Sequence, residues 1–268
     1  MTTVRVATLN IWGRRGPWKD RLGLIKAELA RLSPLLVGLQ EVMRDERSGS
    51  CQAAAIAAGL GYEVAYAPAA RFDEGVLGNA LLSRLPIREQ RVLPLPTPPG
   101  AEARSLLYAA VESAAGLLPV FVTHLDWQGD HGAARLAQVR FIAARAAELT
   151  GDLPPVIMGD FNAEPDADEI RYLRGLHVVD GESVCFADAW VHGGDRSAGE
   201  TFSRVNDYAR RVREPSRRID YIFTGRKGAL GEPRHTSLAF ATSTGGVWPS
   251  DHFGLVSDIV VAADQYSR

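Results

Sequence analysis

The stretch VIMGDFNAEPD at residues 156–166 decides how the rest of this chain is interpreted. Its three leading apolar residues predict a buried strand, and Gly159 allows the backbone to turn at the strand end. If the backbone stays extended as far as Asn162, the side chains of Asp160 and Asn162 project to the same side. A carboxylate can accept a proton from water, and a carboxamide can donate to an oxyanion. The alternative is a polar loop in which both residues only serve turns.

Length and composition fit an ordinary soluble globular protein. The chain has 268 residues, of which 46% are hydrophobic and 23% are charged, which is enough for one large domain or two small ones. The formal net charge of −2 argues against a protein that coats DNA, although a local basic site remains compatible with it. The two cysteines, Cys51 and Cys185, lack zinc-ligand spacing. With no signal-peptide pattern and no membrane-spanning apolar run, we expect a cytoplasmic protein.

Polar residues recur where predicted apolar strands meet loops. Such strand ends gather along a common rim in layered sheet proteins, and sites are commonly built there. The residues at these junctions are Asn10, Glu41, His124, Asp160, Asn162 and the pair Asp251-His252. Alternation along residues 218–224 directs Asp220 inward, where a carboxylate needs a partner. We expect that partner to be His252; the alternative is Arg217 or Arg218.

Two further candidates lie outside these junctions. Residues 131–149 predict an amphipathic helix, on which Arg135 shares a face with His131 and Gln138. Arg135 is either a substrate contact or part of a solvated face. Asn79, in a predicted strand, is a candidate substrate contact.

Residues 175–216 predict either a functional loop or a disordered segment. An arginine-rich stretch overlaps its end and is either a phosphate-binding loop or a solvated loop paired with nearby acids. Its arginines are Arg204, Arg210, Arg211, Arg213, Arg217 and Arg218.

The residue types at the junctions fit one chemistry. Glu41, Asp251 and the side-chain oxygen of Asn10 are hard oxygen donors, which suit Mg²⁺ or Mn²⁺ better than zinc. A histidine such as His252 can take a proton or contact a phosphoryl oxygen. Amide and imidazole groups can stabilise an anionic transition state. Such a set hydrolyses phosphoesters by metal-assisted in-line attack of water.

The motifs also resemble a known family, the endonuclease/exonuclease/phosphatase superfamily. The motifs that carry the resemblance are Leu9-Asn10, Leu39-Gln40-Glu41, Thr123-His124, Gly159-Asp160-Phe161-Asn162, Arg218-Ile219-Asp220-Tyr221 and Ser250-Asp251-His252. They lie in the family order over nearly the whole chain, which implies a single domain over 1–268. The resemblance implies an α/β, four-layered α-β-β-α sandwich of two mixed β-sheets flanked by helices. It also implies one site at one edge, dependent on a divalent metal.

The resemblance further implies roles for single residues. Glu41 matches the principal metal ligand of the family, with Asn10 and Asp251 close to the metal and phosphate. Asp160 matches the aspartate that activates water, and Asn162 matches the phosphate-binding amide. His252 with Asp220 matches the His-Asp pair, and the general base is either Asp160 or His252. His124 resembles the histidine of the DNase and sphingomyelinase branches, near the leaving group. Trp12 stands where apurinic endonucleases have an acidic or amide residue, which argues against abasic-site cleavage.

We therefore expect a phosphodiesterase of the nuclease type. The alternatives are a small-molecule or phospholipid phosphoesterase, similar to sphingomyelinases, and a catalytically inactive protein that binds phosphoryl ligands. The expected partner is a phosphoester substrate, either nucleic acid or a small phosphodiester, and we expect a monomer without a membrane span.

Overall fold

The computed structural model describes residues 1–149 and 151–262 of the chain, and two six-stranded sheets form its centre. The strands are β1 (Thr2–Asn10), β2 (Leu36–Arg44), β3 (Glu63–Phe72), β4 (Gly75–Ser83), β5 (Ile87–Pro94), β6 (Ser105–Ser113), β7 (Gly116–His124), β8 (Val156–Asp160), β9 (Ala187–Asp188), β10 (Asp220–Thr224), β11 (Pro233–Ala239) and β12 (Gly254–Ala262). The strand order is β11-β12-β1-β2-β4-β3 in the first sheet and β5-β6-β7-β8-β10-β9 in the second.

Six helices flank the sheets in the described part of the chain. They are α1 (Trp18–Leu32), α2 (Gln52–Ala57), α3 (Gly132–Leu149), α4 (Asp168–Leu173), α5 (Ala189–Gly193) and α6 (Asp207–Arg210). Ile25 and Leu29 of α1 are four residues apart on one helix face and pack against the first sheet. Val139 and Ile142 of α3 pack in the same way against the second sheet. Among the described residues, no helix is long and apolar enough to cross a membrane.

The inner faces of the two sheets pack against each other. Alternation along β1 points Val4 and Val6 into this central core, while Ala7 and Leu9 face α1 and α2. Each fully buried aliphatic side chain contributes roughly 1.5–3 kcal/mol through the hydrophobic effect. Helices, two sheets and helices are thus stacked in four layers, and the predicted α-β-β-α sandwich of two mixed sheets is confirmed.

Parallel strand pairs bring the polar strand ends to one edge. β1 runs parallel to β2 with Asn10 beside Gln40, and β7 runs parallel to β8 with His124 beside Asp160. Antiparallel pairing of β10 with β8 places Asp220 on the other side of Asp160. The register alone therefore aligns three candidate side chains in a row across the second sheet.

Gly159 makes this close pairing possible. Its φ angle is +151°, and a Cβ atom at this position would lie 1.9 Å from the backbone oxygen of Thr123. Any larger residue would push β8 away from β7, so only glycine fits here.

Two features differ from the sequence-based expectation, namely the end of β2 and the order of residues 175–216. β2 does not end before Glu41; it continues to Arg44 through a bulge between Leu39 and Val42, because pairing with β4 resumes after the extra residue. The expectation of possible disorder over residues 175–216 is wrong. This segment carries β9, α5 and α6, and it buries Phe202 and Tyr208.

Candidate active site

Asp160 lies at the centre of the site, almost completely buried. Asn10 donates from Nδ2 to Asp160 Oδ2 over 3.0 Å, which links the first sheet to the second. His124 Nε2 lies 3.5 Å and His252 Nε2 lies 3.9 Å from the same oxygen. Burial, followed by the negative charge of Asp220, raises the pKa of Asp160 to about 7. A carboxyl group with such a pKa can hold or release a proton near neutral pH.

The other two residues predicted as metal ligands, Glu41 and Asp251, lie close to Asn10. Asn10 Nδ2 also donates to Glu41 Oε1 over 3.0 Å, and the Trp12 amide donates to Asn10 Oδ1 over 2.9 Å. Ser250 Oγ donates to the Asn10 carbonyl over 2.6 Å and contacts Asp251 Oδ1 at 3.2 Å. These bonds bring Asn10, Glu41 and the Asp251 carboxylate into one polar cluster.

Backbone conformation aims Glu41 into this cluster. Glu41 occupies the bulge of β2 with a φ angle of +55°, a region that non-glycine residues rarely adopt. A bulge redirects a side chain relative to regular alternation, and strain of this kind concentrates at functional sites. The bulge therefore explains how a strand residue turns toward the sheet edge.

His252 and Asp220 form a buried pair, as predicted. His252 Nδ1 lies 2.9 Å from Asp220 Oδ2, and Asp220 is fully buried. Burial alone lowers the pKa of His252, but the attraction of Asp220, Asp160 and Asp251 outweighs it, so the pKa is raised well above its usual value. The alternative partners are excluded, because Arg218 binds both Asp188 oxygens and Arg217 pairs with Glu214.

His124 has a different partner, Arg104, which the sequence analysis missed. Arg104 Nη1 lies 3.3 Å from His124 Nδ1. Because a guanidinium can only donate, Nδ1 must accept, and the ring proton is therefore on Nε2, the atom that faces Asp160. Burial, followed by the charges of Arg104 and His252, lowers the pKa of His124 well below its usual value. In the sequence, Arg104 is visible only as a polar residue just before a buried strand.

Asn162 reaches the site by a route that differs from the predicted one. The extended backbone ends at Asp160, and Asn162 has a φ angle of +49°. Its backbone N–H donates to Asp160 Oδ1 over 2.9 Å, and its Nδ2 donates to the Leu125 carbonyl over 3.1 Å. Asp160 and Asn162 are therefore adjacent through a turn and not through strand alternation.

Asn79 is buried close to His124, where both line a small cavity with Arg104. Asn79 Nδ2 donates to the Ser105 carbonyl over 2.9 Å, while Oδ1 has no hydrogen-bond partner among the described residues. This location is compatible with a substrate contact, and that role stays a prediction.

Arg135 requires a correction. Its guanidinium is buried, pairs with Glu169 at 2.5 Å and donates to the Gln128 carbonyl over 2.6 Å. Gln138 is also buried, with its Oε1 accepting from the Asp126 amide. The face is neither solvated nor open to substrate, because the loop after β7 folds over it. Arg135 therefore stabilises that loop by donating to its backbone carbonyls.

Three of the six arginines in the arginine-rich stretch are paired with acids. Arg210 pairs with Asp207, Arg217 with Glu214 and Arg218 with Asp188. These three arginines fit the interpretation of a loop paired with nearby acids, whereas Arg204, Arg211 and Arg213 are exposed and leave both interpretations open.

A divalent metal fits the chemistry of the donor groups at the site. Glu41, Asp251 and the side-chain oxygen of Asn10 bring two carboxylates and an amide oxygen together, and burial, with Glu41 acting in the same direction, raises the pKa of Asp251 to about 6. A second candidate set includes Asp220, whose Oδ1 is a buried oxygen without a hydrogen-bond partner among the described residues. Asp160, Asp220 and His252 also lie close enough together to bind an ion. We favour Glu41, Asn10 and Asp251, because a metal ligand histidine must be neutral and His252 favours its cationic form.

Comparison with known proteins agrees with this geometry. The Endonuclease/Exonuclease/phosphatase family matches residues 7–252 of the chain. A search of curated protein sequences finds no match. Among solved structures, D. rerio TDP2 complexed with single strand DNA product is similar with a TM-score of 0.77 and 20% identity, covering 97% of this chain and 100% of that one. The endonuclease/exonuclease/phosphatase from Bacteroides vulgatus has a TM-score of 0.76 and 21% identity, over 97% and 99% of the two chains.

A third solved structure, the endonuclease/exonuclease/phosphatase from Beutenbergia cavernae DSM 12333, has a TM-score of 0.72 and 25% identity. The match covers 97% of this chain and 72% of that one. The family match spans most of the chain, including all the strand-end residues that meet at the site. From the family and the site together, we conclude that this chain is a metal-dependent phosphoester hydrolase and belongs to the endonuclease/exonuclease/phosphatase family.

Proposed function

We propose that the protein is a phosphodiesterase of the nuclease type that uses Mg²⁺ or Mn²⁺ and cleaves a nucleic-acid strand. The observation that carries this proposal is a cleft of about 390 Å³ that opens beside Glu41. Arg14 and Arg15 line one part of it, and Phe72, with 47% of its surface exposed, lines another. Arginines next to the site suit flanking phosphates, and an exposed aromatic ring suits a nucleobase.

The proposed roles follow the hydrogen bonds of the site. Glu41, Asp251 and the free lone pair of Asn10 Oδ1 would hold the ion. When bound, the ion would offset negative charge on the phosphoryl group. Asp160 accepts the proton of the attacking water, because its pKa lies near 7. His252, held as a cation by Asp220, stabilises the charge of the transition state.

Two donors complete this arrangement. Asn162 Nδ2 uses one hydrogen on the Leu125 carbonyl and keeps a second for a phosphoryl oxygen. His124 offers its Nε2 proton on the other side of Asp160. The solved TDP2 structure with a single-strand DNA product supports a substrate of the same class here.

A substrate panel tests this proposal. Single-stranded DNA, sphingomyelin vesicles and bis(p-nitrophenyl) phosphate are each assayed with Mg²⁺ and with Mn²⁺, and again after chelation. We expect turnover of DNA to exceed that of sphingomyelin and to disappear with chelator. Faster turnover of sphingomyelin would instead support a phospholipid phosphoesterase, the second candidate. No turnover of any substrate would contradict the proposal.

A paired variant tests the cleft itself. With Arg14→Ala and Arg15→Ala combined, we expect kcat/KM to fall about tenfold more for an oligonucleotide than for bis(p-nitrophenyl) phosphate. The salt dependence of oligonucleotide binding should also become shallower, by about 0.7 per lost phosphate contact. Arg226→Ala, which removes an exposed arginine from a different groove, serves as the matched control. An equal loss for both substrates would mean that the cleft does not hold flanking phosphates.

Cytoplasmic location and the monomeric state stay predictions.

A further inference from the structure

The guanidinium of Arg21, on the first turns of α1, is buried with no exposed surface, the largest such side chain in the described residues. It makes no ion pair in the part of the chain that the structure describes; backbone carbonyls accept from all three of its nitrogens instead. Nη1 donates to Ile11 O over 2.7 Å and to Pro249 O over 3.0 Å. Nη2 donates to Gly13 O and Arg15 O, each over 2.8 Å, and Nε donates to Arg15 O over 3.1 Å. Trp12 and Trp18 enclose the guanidinium, with ring centroids 5.2 and 5.3 Å away.

These carbonyls belong to two segments that are distant in sequence. Residues 11–15 directly follow Asn10, and Pro249 directly precedes Ser250 and Asp251. One side chain therefore holds the backbone beside two of the three proposed metal ligands. Ser250 Oγ adds a direct bond between the same segments by donating to the Asn10 carbonyl.

Other buried arginines of the chain are neutralised by carboxylates. Arg135 pairs with Glu169, and Arg218 pairs with Asp188. A carboxylate partner would offset the cost of burying Arg21 more directly than carbonyls do. The planar fork of five donors instead fixes the relative position of several carbonyls, which a single charge could not do.

We propose that Arg21 is a positioning residue of the divalent-metal site, because its guanidinium sets the spacing between the backbone after Asn10 and the backbone before Asp251. This inference rests on the proposed metal-dependent function, with Asn10, Glu41 and Asp251 as ligands. Arg21 touches none of their side chains; it acts through the carbonyls that precede or follow them.

The charge of Arg21 and its geometry make opposite predictions. Burial lowers the pKa of Arg21 to about 10, with Asp251 and Glu41 among the groups that oppose this shift, so Arg21 is still a cation at neutral pH. A nearby cation repels a divalent ion, so loss of charge alone would tighten metal binding. Loss of the carbonyl contacts would loosen the ligands and weaken metal binding.

The test is a calorimetric titration of the full chain with Mn²⁺. Arg21→Lys keeps the charge but loses most of the carbonyl contacts, and we expect it to weaken Mn²⁺ binding about 10- to 100-fold, as loss of groups that orient ligands typically does. Arg21→Met removes both charge and contacts, and we expect weaker binding there too. Arg135→Met is the matched control, because it removes another buried arginine with carbonyl partners that lie away from the proposed ligands. We expect it to lower the melting temperature without changing Mn²⁺ affinity.

Three results would overturn the inference: unchanged Mn²⁺ affinity in Arg21→Lys, tighter binding in Arg21→Met, or an equal loss of affinity in Arg135→Met. If Arg21→Met does not fold, the lysine variant and its control decide the matter. Glu41→Gln in the same titration tests the ligand set separately from the positioning role of Arg21. Wild-type affinity in Glu41→Gln would contradict the proposed ligand set itself, whatever the arginine variants show.

Discussion

Two histidines on either side of Asp160 show how neighbouring charges decide the state of one residue type. His124 and His252 are each 6% exposed, and each points Nε2 toward Asp160 Oδ2. Burial acts in the same direction on both, yet the pKa of His124 is lowered and the pKa of His252 is raised. Arg104 lies at Nδ1 of one ring, and Asp220 lies at Nδ1 of the other.

The difference separates two functions that the amino-acid type alone leaves open. At neutral pH, His252 is a cation held by Asp220, whereas His124 is a neutral ring with its proton fixed on Nε2. Asp160 lies between a positive charge and a neutral donor. This asymmetry supports the proposed roles, in which Asp160 exchanges a proton with water and both histidines act through hydrogen bonds.

The largest expected effect comes from breaking the His252 side of the comparison. We expect His252→Ala to reduce kcat about 10²- to 10⁴-fold, because it removes the cation next to the reacting phosphate. Asp220→Asn should lose nearly as much, and the double variant should be scarcely slower than His252→Ala, since residues that act as a unit are not additive. Single-turnover rates at matched metal concentration provide the measurement. Multiplicative losses would show that the two residues act separately.

A smaller effect is expected on the His124 side. Arg104→Met removes the cation beside Nδ1, so the pKa of His124 should rise and its proton should divide between the two ring nitrogens. We expect kcat to fall about tenfold, a typical loss for a group that orients another. Nitrogen-15 NMR of the ring distinguishes the two tautomers directly. Arg104→Lys, which keeps the charge, should retain a low pKa for His124; unchanged ring shifts in the methionine variant would contradict the assigned role.

The smallest expected effect concerns stability and the carboxyl group between the two rings. The pKa of Asp160 in the folded protein is about 7, above the value of roughly 3.9 for an unfolded chain. The folded state thus holds this proton more tightly, so the stability it contributes is fully present below about pH 4 and is lost as the pH rises through about 7. In metal-free protein, the melting temperature of wild type should fall relative to Asp160→Asn over that interval.

The size of this shift follows from the length of the chain. Each kcal/mol of unfolding free energy corresponds to a shift of roughly 2–4 °C in melting temperature for a protein of this size. We therefore expect the difference in melting temperature between wild type and Asp160→Asn to change by several degrees. Scanning calorimetry in chelator at several pH values measures it. A constant difference between wild type and Asp160→Asn would mean that the carboxyl group is ionised throughout.

The sequence predicted the strand-end residues because alternation marks both a strand and its end. Asn10, His124 and Asp160 could be placed at one edge before any coordinates were known, and the inward direction of Asp220 required a partner. The four layers followed from the family resemblance. These features depend on local pattern or on motif order, which a single sequence displays.

Other features depend on contacts that no local pattern contains. The partners of Arg21 include a carbonyl 228 positions away, and Arg104 meets His124 only after β6 pairs with β7. The positive φ angles of Glu41 and Asn162 could not be predicted from the residue types at these positions. Arg135 was misjudged for a related reason, since a polar helix face is solvated only if no loop covers it.

The side-chain nitrogen of Asn10, Nδ2, connects the active site to the packing of the two sheets. It donates to Glu41, in the first sheet, and to Asp160, in the second. The geometry of the site therefore depends on how the two sheets are aligned. Met158 fills the space over Gly38, and a Cβ atom at Gly38 would lie 2.7 Å from its Cγ and sulfur atoms. A methyl group added there would require Met158 to move, and we expect this to alter the packing between the sheets that the Asn10 hydrogen bonds span. We therefore expect a core substitution such as Gly38→Ala to slow the reaction even though it changes no active-site residue.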